Sequence, residues 1–124
     1  SVDEAKTINE LGFHLGIGGV ATFKNGGMDK VIPSLNPDYL ILETDCPYMS
    51  PEPVRKQQIN EPALMVHTAE FLASLKQISL EDFAIAITDT TRDFFSLPYK
   101  LGLVAAALVG WMILVQSLWE KNPF

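Results

Sequence analysis

Tyr39-Leu40-Ile41-Leu42-Glu43-Thr44-Asp45-Cys46-Pro47-Tyr48 decides the fold class. Its first half is almost continuously apolar, the pattern of a parallel strand buried on both faces. Its second half turns acidic and closes on a proline. Carboxylates at the C-terminal end of such a strand stand where α/β folds keep their chemistry. Glu43 and Asp45 are two apart, so on a strand they share a face. A carboxylate pair alone is a weak magnesium or manganese site, because a hard divalent cation seeks about six oxygen ligands.

Upstream, residues 13–20 read as a second strand, Phe-His-Leu-Gly-Ile-Gly-Gly-Val. Gly16-x-Gly18-Gly19 lacks the third glycine and the following helix of a dinucleotide fingerprint. The glycines are read instead as a close backbone approach in a crowded sheet. Residues 2–11 precede this strand with Val2, Ala5, Ile8 and Leu11 at helical spacing, and Gly12 is a C-terminal stop. Asn25-Gly26-Gly27 marks a turn, residues 28–35 a short helix broken by Pro33, and Asn36-Pro37-Asp38 another turn.

Downstream comes a loop with Pro47, Pro51 and Pro53. Asn60 is the expected N-cap of a helix that has Glu61 and Pro62 in its first turn and runs to Lys76. Ser79 and Asp82 resemble a capping box opening a helix over residues 80–95, with Asp in place of Glu or Gln. The order strand, helix, strand, helix, helix predicts a parallel α/β arrangement. Two strands are too few for a closed sheet, and a complete α/β barrel needs about 250 residues. Residues 1–97 therefore predict a partial TIM barrel.

Residues 98–124 are of different character. The run 101–119 carries no charge and is bounded by Lys100, Glu120 and Lys121. As a helix it would be roughly 28 Å long, near the thickness of a bilayer core. The expectation is a single transmembrane helix, with Gly102, Ala106 and Gly110 as a small-residue packing row and Trp119 as an interfacial anchor. Arg92 and Lys100 before it favour an N-terminal part in the cytoplasm. The helix lacks any ionisable side chain that could relay protons or ligate a metal.

Charge bounds the partners. Residues 1–98 hold 14 acidic and 7 basic side chains, against −6 for the whole chain. So acidic a domain is a poor generic polyanion binder, although a local site can still be positive. Cys46 is the only cysteine, so no internal disulfide can form.

Residues 11–25 (Leu-Gly-Phe-His-Leu-Gly-Ile-Gly-Gly-Val-Ala-Thr-Phe-Lys-Asn), then Leu42-Glu43-Thr44-Asp45-Cys46-Pro47-Tyr48, then Asn60-Glu61-Pro62, resemble the TatD family of metal-dependent hydrolases. The resemblance covers about residues 1–97 and implies the C-terminal part of a TIM-barrel nuclease. Family enzymes bind divalent metals through an early His-x-His pair, a central glutamate, two later histidines and the aspartate of Glu-Thr-Asp. Only that last ligand has a counterpart, Asp45. His14 stands at a position usually aromatic in the family and is not read as a replacement ligand, and His67 is read as a surface or packing histidine. Arg55-Lys56-Gln57-Gln58-Ile59 stands where the family usually has Arg-Gly-Lys, without its glycine and one residue longer, a departure that puts phosphate handling by Arg55 in question. Thr88-Asp89-Thr90-Thr91 replaces Thr-x-Asn-Ala.

These readings lead to an expected non-catalytic, single-pass membrane accessory subunit, packed among other transmembrane subunits of an energy-transducing or photosynthetic complex and holding no cofactor in this form. The alternative is the C-terminal piece of a membrane-tethered, divalent-metal-dependent nuclease of the TatD family, with nucleic acid as substrate. A third reading is a binding module that offers its acidic face to a basic partner.

Overall fold

The first helix, α1 (Val2–Glu10), starts where the Ser1 hydroxyl accepts the Glu4 N–H at 3.3 Å. It stops at Gly12, whose φ of 82° no β-carbon obstructs. There Gly12 N–H donates to the Asn9 carbonyl (2.9 Å) and Phe13 N–H to that of Ile8 (3.1 Å), closing the last turn. The structure, a computed structural model, describes residues 1–57 and 59–97.

Two strands follow, β1 (Leu15–Ile17) and β2 (Leu40–Leu42), paired in parallel with Leu15 opposite Leu40 and Ile17 opposite Leu42. Both are shorter than the apolar pattern predicts. After β1 the chain curls into a 3-10 turn, Gly19–Thr22, and before β2 a second one, Pro37–Tyr39, takes up the first residue of the expected strand. The crossover contains α2 (Met28–Val31) and a 3-10 turn at Ile32–Ser34, the short helix and the break that Pro33 announces.

Two helices complete the unit, α3 (Met65–Lys76) and α4 (Leu80–Phe94). The N-cap of α4 is Ser79, which accepts the Asp82 N–H at 3.0 Å. The Asp82 carboxylate takes the Ser79 hydroxyl proton at 2.7 Å. The helices cover one face of the sheet. Ile17, Ile32, Leu40, Ala69, Leu72, Ala73, Phe83 and Ile87 form the core, with Leu15 and Leu42 packed against it. Leu40, Leu72 and Phe83 have no exposed surface, and burying each stabilises by roughly 1.5–3 kcal/mol.

The other face is open. Ile41 is half-buried and Glu43 exposed, so burial of β2 on both faces is not met among the described residues. The sheet there has only β1 and β2, and no described element packs on their second face.

The expected transmembrane helix over 101–119, with Gly102, Ala106, Gly110 and Trp119, lies outside the described residues. Among the described residues no helix is long and apolar enough to cross a membrane. The longest, α4, has 15 residues and carries Glu81, Asp82, Asp89, Arg92 and Asp93.

Candidate active site at the ends of the parallel strands

The strand ends position the carboxylates. Glu43 N–H donates to the Ile17 carbonyl at 3.1 Å, extending the pairing one step past β2. From there the alternation of the strand turns Glu43 and Asp45 to the open face, above the glycines of β1. A β-carbon on Gly16 would lie 3.4 Å from Glu43 Cδ, and one on Gly18 3.4 Å from Asp45 Oδ2. The glycines thus leave a shelf on which the two carboxylates rest. Gly19 answers a different need: a β-carbon there would sit 2.4 Å from the Met49 carbonyl oxygen. It lets the loop after β2 cross directly over the turn after β1.

That loop is fixed at three points. Tyr48 N–H closes a tight turn on the Asp45 carbonyl at 2.7 Å. Asn60, 5% exposed, donates its side-chain amide to the Tyr48 carbonyl (2.6 Å) and its backbone N–H to the Pro47 carbonyl (3.1 Å). Midway, the Thr22 hydroxyl donates to the Gly19 carbonyl (2.7 Å) and accepts the Glu52 N–H (2.8 Å). Asn60 is therefore not the N-cap of α3. The chain first makes a 3-10 turn at Pro62–Leu64 with Glu61 in the cap position. The side-chain and backbone amides of Asn60 are spent on the carbonyls of Tyr48 and Pro47, across the loop rather than on a helix start.

The remaining candidates lie elsewhere. His14 stacks between Tyr39 and Phe94, with ring centroids 5.6 and 4.7 Å away. It precedes β1, so four residues of strand separate it from the Gly18 end, about 13 Å. His67 pairs with Glu70 at 3.3 Å on the outside of α3. Thr90, in the altered family motif, donates to the Pro37 carbonyl at 3.3 Å and ties α4 to the turn before β2. Among the described residues no three His, Cys, Asp or Glu side chains converge closely enough to hold a metal ion. What this stretch offers is one pair of hard oxygen donors above a glycine shelf.

Sequence reasoning missed a contact between the two loops. The Arg55 guanidinium lies over the Phe23 ring, its carbon 3.6 Å from the centroid. No local signal reveals it, because the partners are 32 positions apart and meet only through the loop crossing at Gly19.

A parallel βα unit with carboxylates at its strand ends is the arrangement of an α/β barrel, whose sites lie at the C-terminal ends of the strands. Residues 1–96 match the family described as TatD related DNase, and the chain belongs to that family. The metal-dependent hydrolase YabD of Bacillus subtilis, itself described as uncharacterized, is 35% identical over 96 residues, which are 77% of this chain and 37% of the relative. The 3'-5' ssDNA/RNA exonuclease TatD of Pantoea vagans is 30% identical over 100 residues, 77% of this chain and 38% of its own. The crystal structure of YJJV, a TatD homologue from Escherichia coli K12, superimposes with a TM-score of 0.71 at 28% identity, covering 79% of this chain and 38% of that one. The chain thus spans little more than a third of the length of the proteins it matches.

These findings correct two expectations. The non-catalytic accessory subunit of a membrane complex is not upheld, because the matched relatives are named metal-dependent hydrolases and a nuclease. The single-pass localisation with a cytoplasmic N-terminal part falls with it: no described helix is long and apolar enough to cross a membrane, and the relatives' names are those of hydrolases. The error had a physical source. Hydropathy of one uncharged run says nothing of the chemistry of residues 1–97, whose motifs are those of a hydrolase family.

Proposed function

We propose that residues 1–96 supply the last strands of a divalent-metal-dependent phosphodiester hydrolase acting on nucleic acid, with Asp45 as a metal ligand and Glu43 beside it. One observation carries the reading: both carboxylates lie on the uncovered face at the C-terminal end of β2, beside Gly16 and Gly18, where an added β-carbon would just reach contact distance with them at 3.4 Å. Carboxylate oxygens suit a hard cation such as magnesium or manganese. The bound ion would polarise a phosphoryl oxygen and provide a water molecule acidic enough to attack it at neutral pH. Asp45 holds its carboxylate at the strand end, its backbone pinned by the turn to Tyr48. Glu43 orients an acceptor oxygen one step deeper on the same face. The other ligands implied by the family pattern have no counterpart among residues 1–97, so the pair contributes part of a site. The test is manganese binding by the chain, read by the loss of the free-ion EPR signal, together with hydrolysis of an oligonucleotide by the native protein. Asp45→Ala is expected to weaken binding at least tenfold and to abolish metal-dependent hydrolysis. Hydrolysis unchanged by Asp45→Ala would sink the assignment.

A further inference from the structure

We propose that two copies of this chain pair through the open faces of their β1–β2 sheets and hold one divalent cation between the two carboxylate pairs. The inference rests on the metal-ligand reading of Asp45 and Glu43 given above, and it names the partner that fills out the site.

The ligand set of one chain is short. Among the described residues no group of three His, Cys, Asp or Glu side chains converges on one point. Glu43 and Asp45 are both exposed. A hard cation such as magnesium or manganese takes about six oxygens, so one carboxylate pair leaves most positions to water and holds the ion weakly. A second copy doubles the carboxylates, to two Asp45 and two Glu43. A two-fold axis running along the strands sets like ends together, so both pairs arrive at the same end.

The face that carries them is shaped for close approach. Leu15 and Ile17 of β1 pack toward the core, so the alternation of the strand puts Gly16 and Gly18 on the opposite side. No side chain of residues 15–18 therefore stands up from the open face. The carboxylates lie over those glycines, with the β-carbon positions of Gly16 and Gly18 at 3.4 Å from Glu43 Cδ and Asp45 Oδ2. Two sheets with side chains between them stand about 10 Å apart. A bare strand permits a closer approach, and the carboxylates of one copy then come within reach of an ion held by the other. One step deeper on the same face, half-buried Ile41 is its apolar part.

Charge decides when the pairing occurs. The chain carries a net charge of −6, and pairing sets four carboxylates against one another. The apolar contact, Ile41 and the glycines, is small. Without a cation the repulsion opposes association. A divalent ion among the four carboxylates is the largest local charge and turns the repulsion into attraction. Pairing is therefore metal-dependent, unlike an association driven by apolar surface.

The test is the mass of the full 124-residue chain by sedimentation equilibrium, in EDTA and in manganese chloride. The expected mass is 13.7 kDa in EDTA and twice that in manganese. The free-ion EPR signal should be lost up to one manganese per two chains. Asp45→Asn and Glu43→Gln are each expected to raise the manganese needed for pairing by about tenfold or more, since ligand charge sets the affinity of such a site. Asp38→Asn removes an exposed carboxylate from the turn before β2, at the other end of the strand, and should leave pairing unchanged. The inference is overturned by a mass that is the same in EDTA and manganese, by an endpoint of one ion per chain, or by an Asp38→Asn variant that pairs as poorly as Asp45→Asn. Manganese bound at one ion per chain with no change in mass sinks the pairing and leaves the hydrolase reading standing. A free-ion signal that the chain never diminishes removes both.

Discussion

At Gly19 the side chain is a single hydrogen because a backbone carbonyl occupies the place of a β-carbon. Gly19→Ala forces the Met49–Pro51 segment to move and is expected to cost about 1–3 kcal/mol, read as a lower urea midpoint at constant slope. Gly18→Ala contrasts with it. A β-carbon there meets Asp45 Oδ2 at ordinary contact distance, 3.4 Å. Stability and manganese binding should both stay near wild type, because the methyl group touches the carboxylate without displacing it. Equal effects of the two substitutions on urea midpoint would refute the distinction. Lys76 reaches from the end of α3 to the carbonyl of Leu35, and burial draws its ammonium below the usual lysine range. The unfolded chain then holds that proton to higher pH than the folded one, so this residue adds stability as the solution is made alkaline through the interval between the two values. Urea titrations at rising pH should show the increment in wild type and not in Lys76→Met.

At the scale of elements, the helices were the most legible. Ser79, with Asp82 three positions on, marked the start of α4 from sequence alone, and Gly12 the end of α1, because caps are local chemistry. Ser79→Ala is expected to cost about 1 kcal/mol, measured by thermal or urea unfolding. The start of α3 was misread. Asn60 looks like a cap, yet its partners are the carbonyls of Pro47 and Tyr48, and no spacing rule links positions that far apart. The strands were recognised and their lengths overestimated, because an apolar run does not say where a 3-10 turn will claim its ends. Gln77 closes α3 at a φ of 57°. Gln77→Gly should therefore stabilise by about 0.5–1 kcal/mol, and a lower unfolding midpoint for that variant would contradict the strain assigned to it.

For the whole molecule, the parallel α/β class and the place of Asp45 were readable from a few motifs. The partnership of Phe23 and Arg55 was not, since it depends on how two loops cross. Nor did hydropathy identify the role of the domain. The sheet shows why: one face is covered by helices, and the other, with Ile41, Glu43 and the β1 glycines, has no described covering. Leu11, Phe13, Phe94, Phe95 and Leu97 add exposed apolar surface, Leu11 to 68% and Phe13 to 64%. The 124-residue chain on its own is expected to bind ANS strongly, and a chain that does not would show this surface to be covered.

Asn60 holds both Pro47 and Tyr48, so the segment between them and itself is a loop with its ends tied together. Such a loop behaves as a cassette. Residues can be added or exchanged inside it at a small cost in closure entropy, because length enters only logarithmically. The strand end at Asp45 lies outside this cassette, beyond its tie at Pro47. Change within the loop can therefore accumulate without disturbing the carboxylates at the strand end.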